Sequence, residues 1–171
     1  MLDVYATVDD LIDRFGEAEM IGLTDPDNTA VQSARAQRKL DDAHVLANGY
    51  VGMAYRLPLA GCAKPAPQPG NPQAVETVAP PLLARLVCDI ARYYLYDDKS
   101  TEEVLKRYEQ AKQELLHISQ GKATLACPWG GVAGEPLGAD PQAGGLEVRE
   151  VVCAQHSEYA GDMTAAVEPP R

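Results

Sequence analysis

Proline placement constrains this chain more than any other feature. Residues 82–121 contain no proline, and their only glycine is Gly121 at the very end. Residues 1–57 contain a single proline, Pro26. Residues 58–72 hold five (Pro58, Pro65, Pro67, Pro69 and Pro72) together with Gly61 and Gly70, and residues 122–171 hold five more with seven glycines. Proline fixes φ and has no amide hydrogen to donate, so regular elements survive only between such clusters. The order is therefore helical segment, proline-rich loop over 58–80, helical segment, long extension.

Four helices are expected. Thr7 suits the N-cap of a short first one, with Asp9 and Asp10 facing the positive end of its dipole and Gly16 at its stop. A small turn at Glu17–Ile21 follows, and Asp25-Pro26-Asp27-Asn28 is a turn that offers caps to the next helix. That second helix is expected from about Thr29 to about Tyr55, with Ala36, Leu40, Ala43, Ala47, Tyr50 and Ala54 as its stripe. Its small members let a neighbour approach closely. The third begins at Pro81, a residue suited to a first helical position, and carries the broadest apolar face, from Leu82 to Leu95. The fourth opens on the capping box Ser100-Thr-Glu-Glu103 and ends at Gly121, with Val104, Leu105, Tyr108, Ala111, Leu115 and Ile118 inward. The expected class is mainly α: a compact four-helix core over 1–121, then an extended docking arm over 122–171. Within that arm LEVREVV (Leu146–Val152) alternates as a candidate short β-strand, which needs a partner.

The 171 residues carry 15 Lys and Arg against 25 Asp and Glu, a formal charge of −10. An acidic surface disfavours nucleic acid and anionic lipid as partners, since both are bound through basic faces. No apolar run approaches the ~18–20 residues of a membrane span. The start, MLDVYATVDD, shows no signal-peptide pattern, so a cytosol-like compartment is expected. Cys62, Cys88, Cys127 and Cys153 have neither zinc-knuckle nor redox-motif spacing, and four reduced thiols are the expectation.

Nothing in the chain nominates a reaction. His44, His117 and His156 lack partners at metal or catalytic spacing; Asp41 and His44, three apart, suit a solvated helix face better than a metal site. Nucleophile-elbow, phosphate-loop, dinucleotide and zinc-protease motifs are absent from the sequence. The acidic pairs Asp9/Asp10, Asp41/Asp42, Asp97/Asp98 and Glu102/Glu103 are sequence neighbours, which point ~100° apart on a helix and form no dyad. Catalytic, cofactor and metal residues are accordingly none, and the chain is not expected to be an enzyme. Tyrosine suits both cores and subunit interfaces, so Tyr93 and Tyr96 are candidates for either. Trp129, Leu146, Val148 and Val152 are the candidate anchors of the arm.

The stretches YATVDDLIDRFGEAEMIGLTD, YVGMAYRLPL, APPLLARLVCDIARYYLYDD and VLKRYEQAKQELLHISQGKATL resemble the small-protein family of Mu-like phages and prophages (DUF1320) over residues 4–125. More distantly they are similar to the head–tail connector, or adaptor, proteins of long-tailed phages. The resemblance implies an α-helical subunit of a homo-oligomeric ring, commonly twelvefold, beneath the portal protein at the capsid vertex. Such a ring lengthens the DNA channel, through which DNA passes without specific binding, and offers a platform to the next neck or tail protein, a stopper or tail terminator. It also implies that the C-terminal extension docks on the portal, and that the protein resides in the virion after assembly in host cytoplasm. The acidic composition fits a channel wall to which phosphate does not stick. Two alternatives stand beside this: a tail-completion or stopper protein one layer further out, and a small helical DNA-binding regulator.

Overall fold

Local signals set most helix ends in the computed structural model, which describes residues 3–138. Thr7 caps α1 (Val8–Phe15): its hydroxyl accepts from the Asp10 amide, and the Asp10 carboxylate accepts in return from the Thr7 amide at 2.7 Å. Gly16, at φ +90°, ends α1 and lets a new helix start at the next residue, a backbone state that costs glycine little. That helix, α2 (Glu17–Thr24), is two full turns where the sequence suggested one small turn.

Asp25 then closes a tight turn instead of capping the next helix. Its carboxylate accepts from the Thr29 hydroxyl at 2.6 Å and from the amides of Thr29, Ala30 and Asp27. Those donors, the Thr29 hydroxyl first, hold the carboxyl well below the ordinary carboxylate range. The turn delays α3 (Ser33–Val51), which is shorter than the expected 29–55 at both ends. After the proline-rich stretch come α4 (Pro81–Tyr96), with Pro81 in its first turn, and α5 (Glu102–Ser119), joined by a 3₁₀ turn at Asp97–Lys99. Thr101, not Ser100, caps α5, accepting from the Val104 amide at 3.3 Å. The residue three past the true cap is Val104, so the expected capping box cannot close.

The fold is mainly α. Both α3 and α5 pack on α4, and they also touch each other. Leu83, Leu86, Val87 and Ile90 of α4 are fully buried between them. Ala36, Ala43 and Ala47 of α3 and Ala111 of α5 are buried too, the small residues that allow close helix approach. The joint between α1/α2 and α4 combines buried Leu11 and Met20 with a polar contact. Arg92 holds Glu19 with two hydrogen bonds, at 2.7 and 3.0 Å, and lies 4.5 Å over the Phe15 ring.

The proline-rich loop contains a hairpin that the sequence reading did not foresee. β1 (Cys62–Pro65) pairs antiparallel with β2 (Val75–Val78), Cys62 opposite Val78 and Pro65 opposite Val75. Pro67, Pro69 and Pro72 all fall in the tip, where no ladder hydrogen bond is required of them.

The stretch 122–137, which the sequence assigned to the arm, folds onto the helical body. Leu125 and Ala133 are fully buried. The Leu125 amide donates to the Tyr55 hydroxyl at 2.9 Å, Gly61 to the Ala133 carbonyl at 2.9 Å, and Arg56 to the Glu135 carbonyl at 2.9 Å. Leu137 donates to the Ala54 carbonyl at 2.7 Å. The backbone at Gly134 runs so close to Leu59 that a Cβ there would sit 2.7 Å from its Cδ2. Across this contact Cys62 and Cys127 form a disulfide, their Cα atoms 5.5 Å apart. The expectation of four reduced thiols is corrected accordingly. The two cysteines lie 65 residues apart, and no local pattern marks such a pair. Cys88 is free and buried, and Cys153 lies outside the described residues.

Candidate interface surface

Trp129 is presented by a turn. The Cys127 amide donates to the Gly131 carbonyl and the Gly130 amide to the Cys127 carbonyl, both at 3.0 Å. Gly130 and Gly131 adopt φ of +105° and +81°, which an L side chain rarely tolerates. The indole is left 42% exposed and its neighbour in the turn region, Val132, 55%. Both belong to the segment that Cys127 tethers, so the disulfide anchors the base of the turn that carries them. A shallow groove of about 290 Å³ lies where α3, α5 and the end of this segment meet, lined by Met53, Tyr55, Ile118, Ala123 and Leu137 among others. Met53 and Leu137 keep 69% and 49% of their surface in solvent. Singly exposed apolar side chains are ordinary, but Met53 and Leu137 line one groove, and adjoining apolar surface of that kind marks places that meet other proteins.

The tyrosines named from the sequence each have a partner within the chain. Tyr93 stacks on Tyr108 of α5, ring centres 4.0 Å apart and planes 10° from parallel. Tyr94 leans on the same ring, and burial pushes its phenol up to about 12. The Tyr96 hydroxyl donates to the Glu19 carboxylate at 3.1 Å, beside Arg92. Each ring is half-buried, so it fills the core boundary while keeping one edge outside. Leu146, Val148 and Val152, with the candidate strand Leu146–Val152, lie outside the described residues.

Two polar features were not legible beforehand. His44 is 5% exposed and holds the N-terminal strand of chain to α3. Its Nε2 accepts from the amides of Tyr5 at 3.0 Å and Ala6 at 3.2 Å, while the Tyr5 hydroxyl donates to Asn48. Burial lowers its pKa, against the pull of Asp41. A second hollow, about 280 Å³, lies among Arg14, Arg85, Asp89, Arg107 and Gln110. Arg85 donates to Glu114 and Arg107 to Glu103, each at 2.6 Å, and burial pushes the Asp89 carboxyl up despite the surrounding arginines. Two of its three arginines are thus paired within the chain, and the hollow is a polar joint of α1, α4 and α5. Among the described residues no group of three His, Cys, Asp or Glu side chains is placed to hold a metal. No described helix is long and apolar enough to cross a membrane.

The helical body and the tethered segment coincide with one sequence profile: that of bacteriophage Mu Gp36 matches residues 5–138. The chain belongs to the bacteriophage Mu Gp36 family. Gene product J of Escherichia phage Mu is 31% identical over 120 residues, covering 69% of this chain and 73% of its own length. The Mu-like prophage FluMu protein gp36 of Haemophilus influenzae is 29% identical over 124 residues, covering 71% and 75%. The Gp36 match runs from the His44-bound N-terminal stretch through the Trp129 turn and stops where the described residues stop. Membership in Gp36 points to a phage structural or assembly protein.

Proposed function

We propose that the chain is a structural subunit of the phage neck: a head–tail connector that forms a homo-oligomeric ring, twelvefold as in similar adaptors, under the portal protein. The observation that carries this reading is the Gp36 match across the whole helical body. In this reading the protein acts by assembly and not by catalysis. Its acidic character, −10 overall, keeps DNA sliding past the channel wall. A closed ring needs two different complementary faces on each subunit. The Trp129–Val132 turn supplies an apolar anchor for one of them. In this reading residues 139–171, the part of the expected 122–171 arm beyond the docked segment, bind the portal, and the next neck or tail protein binds the far end of the ring.

Deleting residues 139–171 tests this in assembling phage. The truncated chain keeps the helical circular dichroism of the full chain and fails to join portal-containing particles. Normal incorporation of the truncated chain refutes the arm. Electron cryo-microscopy of purified necks decides the rest, because a density map with no copy of the chain next to the portal ends the connector reading.

A further inference from the structure

We propose that Cys62 and Cys127 form a redox-operated clasp: the segment Leu125–Leu137 docks on the helical body with both thiols reduced and is locked there when the pair is oxidised. This goes beyond the neck assignment and does not depend on it. Three observations carry it. First, the pair is already placed for bonding, with Cα atoms 5.5 Å apart and both side chains buried in one contact. Second, that contact has its own non-covalent hold. Leu125 and Ala133 are fully buried, and backbone hydrogen bonds reach Tyr55, Gly61, Arg56 and Ala54. Third, the bond joins no two helices: it ties β1, where Cys62 sits, to the segment that follows α5 and carries Cys127. The helical body therefore stands without the bond, while a short docked segment belongs to the easily opened part of a structure.

The chemistry balances with a small disulfide such as oxidised glutathione as the oxidant. Cys127 keeps 8% of its surface open and Cys62 none, so Cys127 meets the oxidant first. The Cys127 proton leaves to solvent, and its thiolate attacks one glutathione sulfur, breaking the S–S bond and releasing one glutathione thiolate. Cys62, deprotonated in turn, attacks Cys127 Sγ and releases the second. Two electrons pass to glutathione and two protons to solvent. Cys88 does not compete: it is buried, and burial pushes its thiol up to about 12. A reducing cytosol keeps such a pair open and an oxidising medium closes it, so a subunit assembled in the first and carried into the second stiffens after assembly.

The test uses the full chain, kept in dithiothreitol or treated with oxidised glutathione, alkylated and peptide-mapped. Hydrogen exchange and thermal unfolding follow on both samples. The expected oxidised sample yields a Cys62–Cys127 peptide and exchanges its Cys127 and Ala133 amides at least tenfold more slowly. Its unfolding midpoint rises by about 5–15 °C, while helical circular dichroism is the same in both samples. Cys127→Ser stays at the reduced level under either treatment, and the natural chain in dithiothreitol serves if that variant folds poorly. Failure of the pair to form under oxidant overturns the proposal, as does equal exchange in the two states. Loss of the helical signal on reduction overturns it too, because the bond is then required by the fold.

Discussion

His44 works as a hydrogen-bond acceptor, and that role makes it sensitive to pH. Burial lowers the pKa of His44, and only the neutral ring can accept from the Tyr5 and Ala6 amides, so the folded state resists protonation. The unfolded chain takes up a proton near the ordinary value of about 6.5. Stability from this group is thus complete above that value and drains away as pH falls from there toward the lower folded pKa. The thermal midpoint is expected to fall between pH 7.5 and 5.5, and His44→Gln to flatten that part of the profile. The variant loses about 1–2 kcal/mol at pH 7.5 if glutamine cannot reach both amides. An unchanged slope in His44→Gln, read by circular dichroism, removes His44 as the sensor. The sequence placed His44 on a solvated helix face, and the structure buries it instead; its partners were out of reach of a local reading, because Tyr5 and Ala6 lie 39 and 38 residues away.

Among the elements, one ion pair reinforces the joint of α1 and α2 with α4, where Leu11 and Met20 are already buried. The Arg92 side chain is 14% exposed and Glu19 26%, which places the pair between surface bridges of little value and buried ones whose rupture is severe. Two parallel hydrogen bonds, the Phe15 ring and the Tyr96 hydroxyl all engage it. Arg92→Ala is expected to cost about 2 kcal/mol and Arg92→Lys to recover less than half, since an ammonium cannot form the fork. Urea unfolding of the three chains measures it, and a cost for Arg92→Ala below about 0.5 kcal/mol would class the pair with ordinary surface bridges. At this scale the helices were well marked in the sequence. Caps, proline positions and apolar spacing are local, and α4 starts at Pro81 as expected. The late start of α3 has a nearby competitor behind it: Asp25 draws Thr29 and Ala30 into its own turn, so the helix waits until Ser33.

For the molecule as a whole, charge opposes self-assembly. Each subunit carries −10, and like-charged surfaces repel until salt screens them, within ~10 Å at 0.1 M and ~3 Å at 1 M. In the proposed ring, subunits joined by apolar anchors such as Trp129 therefore hold more tightly as salt rises. Sedimentation velocity of the full chain at about 0.05 and 0.5 M NaCl should show more self-association in the higher salt. Dissociation by salt would mean that ion pairs, and not the apolar turn, join the subunits. Of the candidate surface, Trp129 alone was both named from the sequence and found exposed among the described residues. The sequence left Tyr93 and Tyr96 open between core and interface, and their stacking and hydrogen-bond partners lie on other helices, beyond a local reading.

The helical class, the break at the proline-rich loop and the lack of a catalytic motif follow from residues within a turn or two of one another, and a reader of the string can weigh them. The hairpin register, the docking of 125–137 and the Cys62–Cys127 bond could not be weighed that way. Each joins residues distant along the chain, where closing the loop costs entropy that only the assembled core repays. Gly134 shows the difference in one residue: its type suggested a flexible arm, and only the packed fold reveals that Leu59 leaves no room for a side chain there.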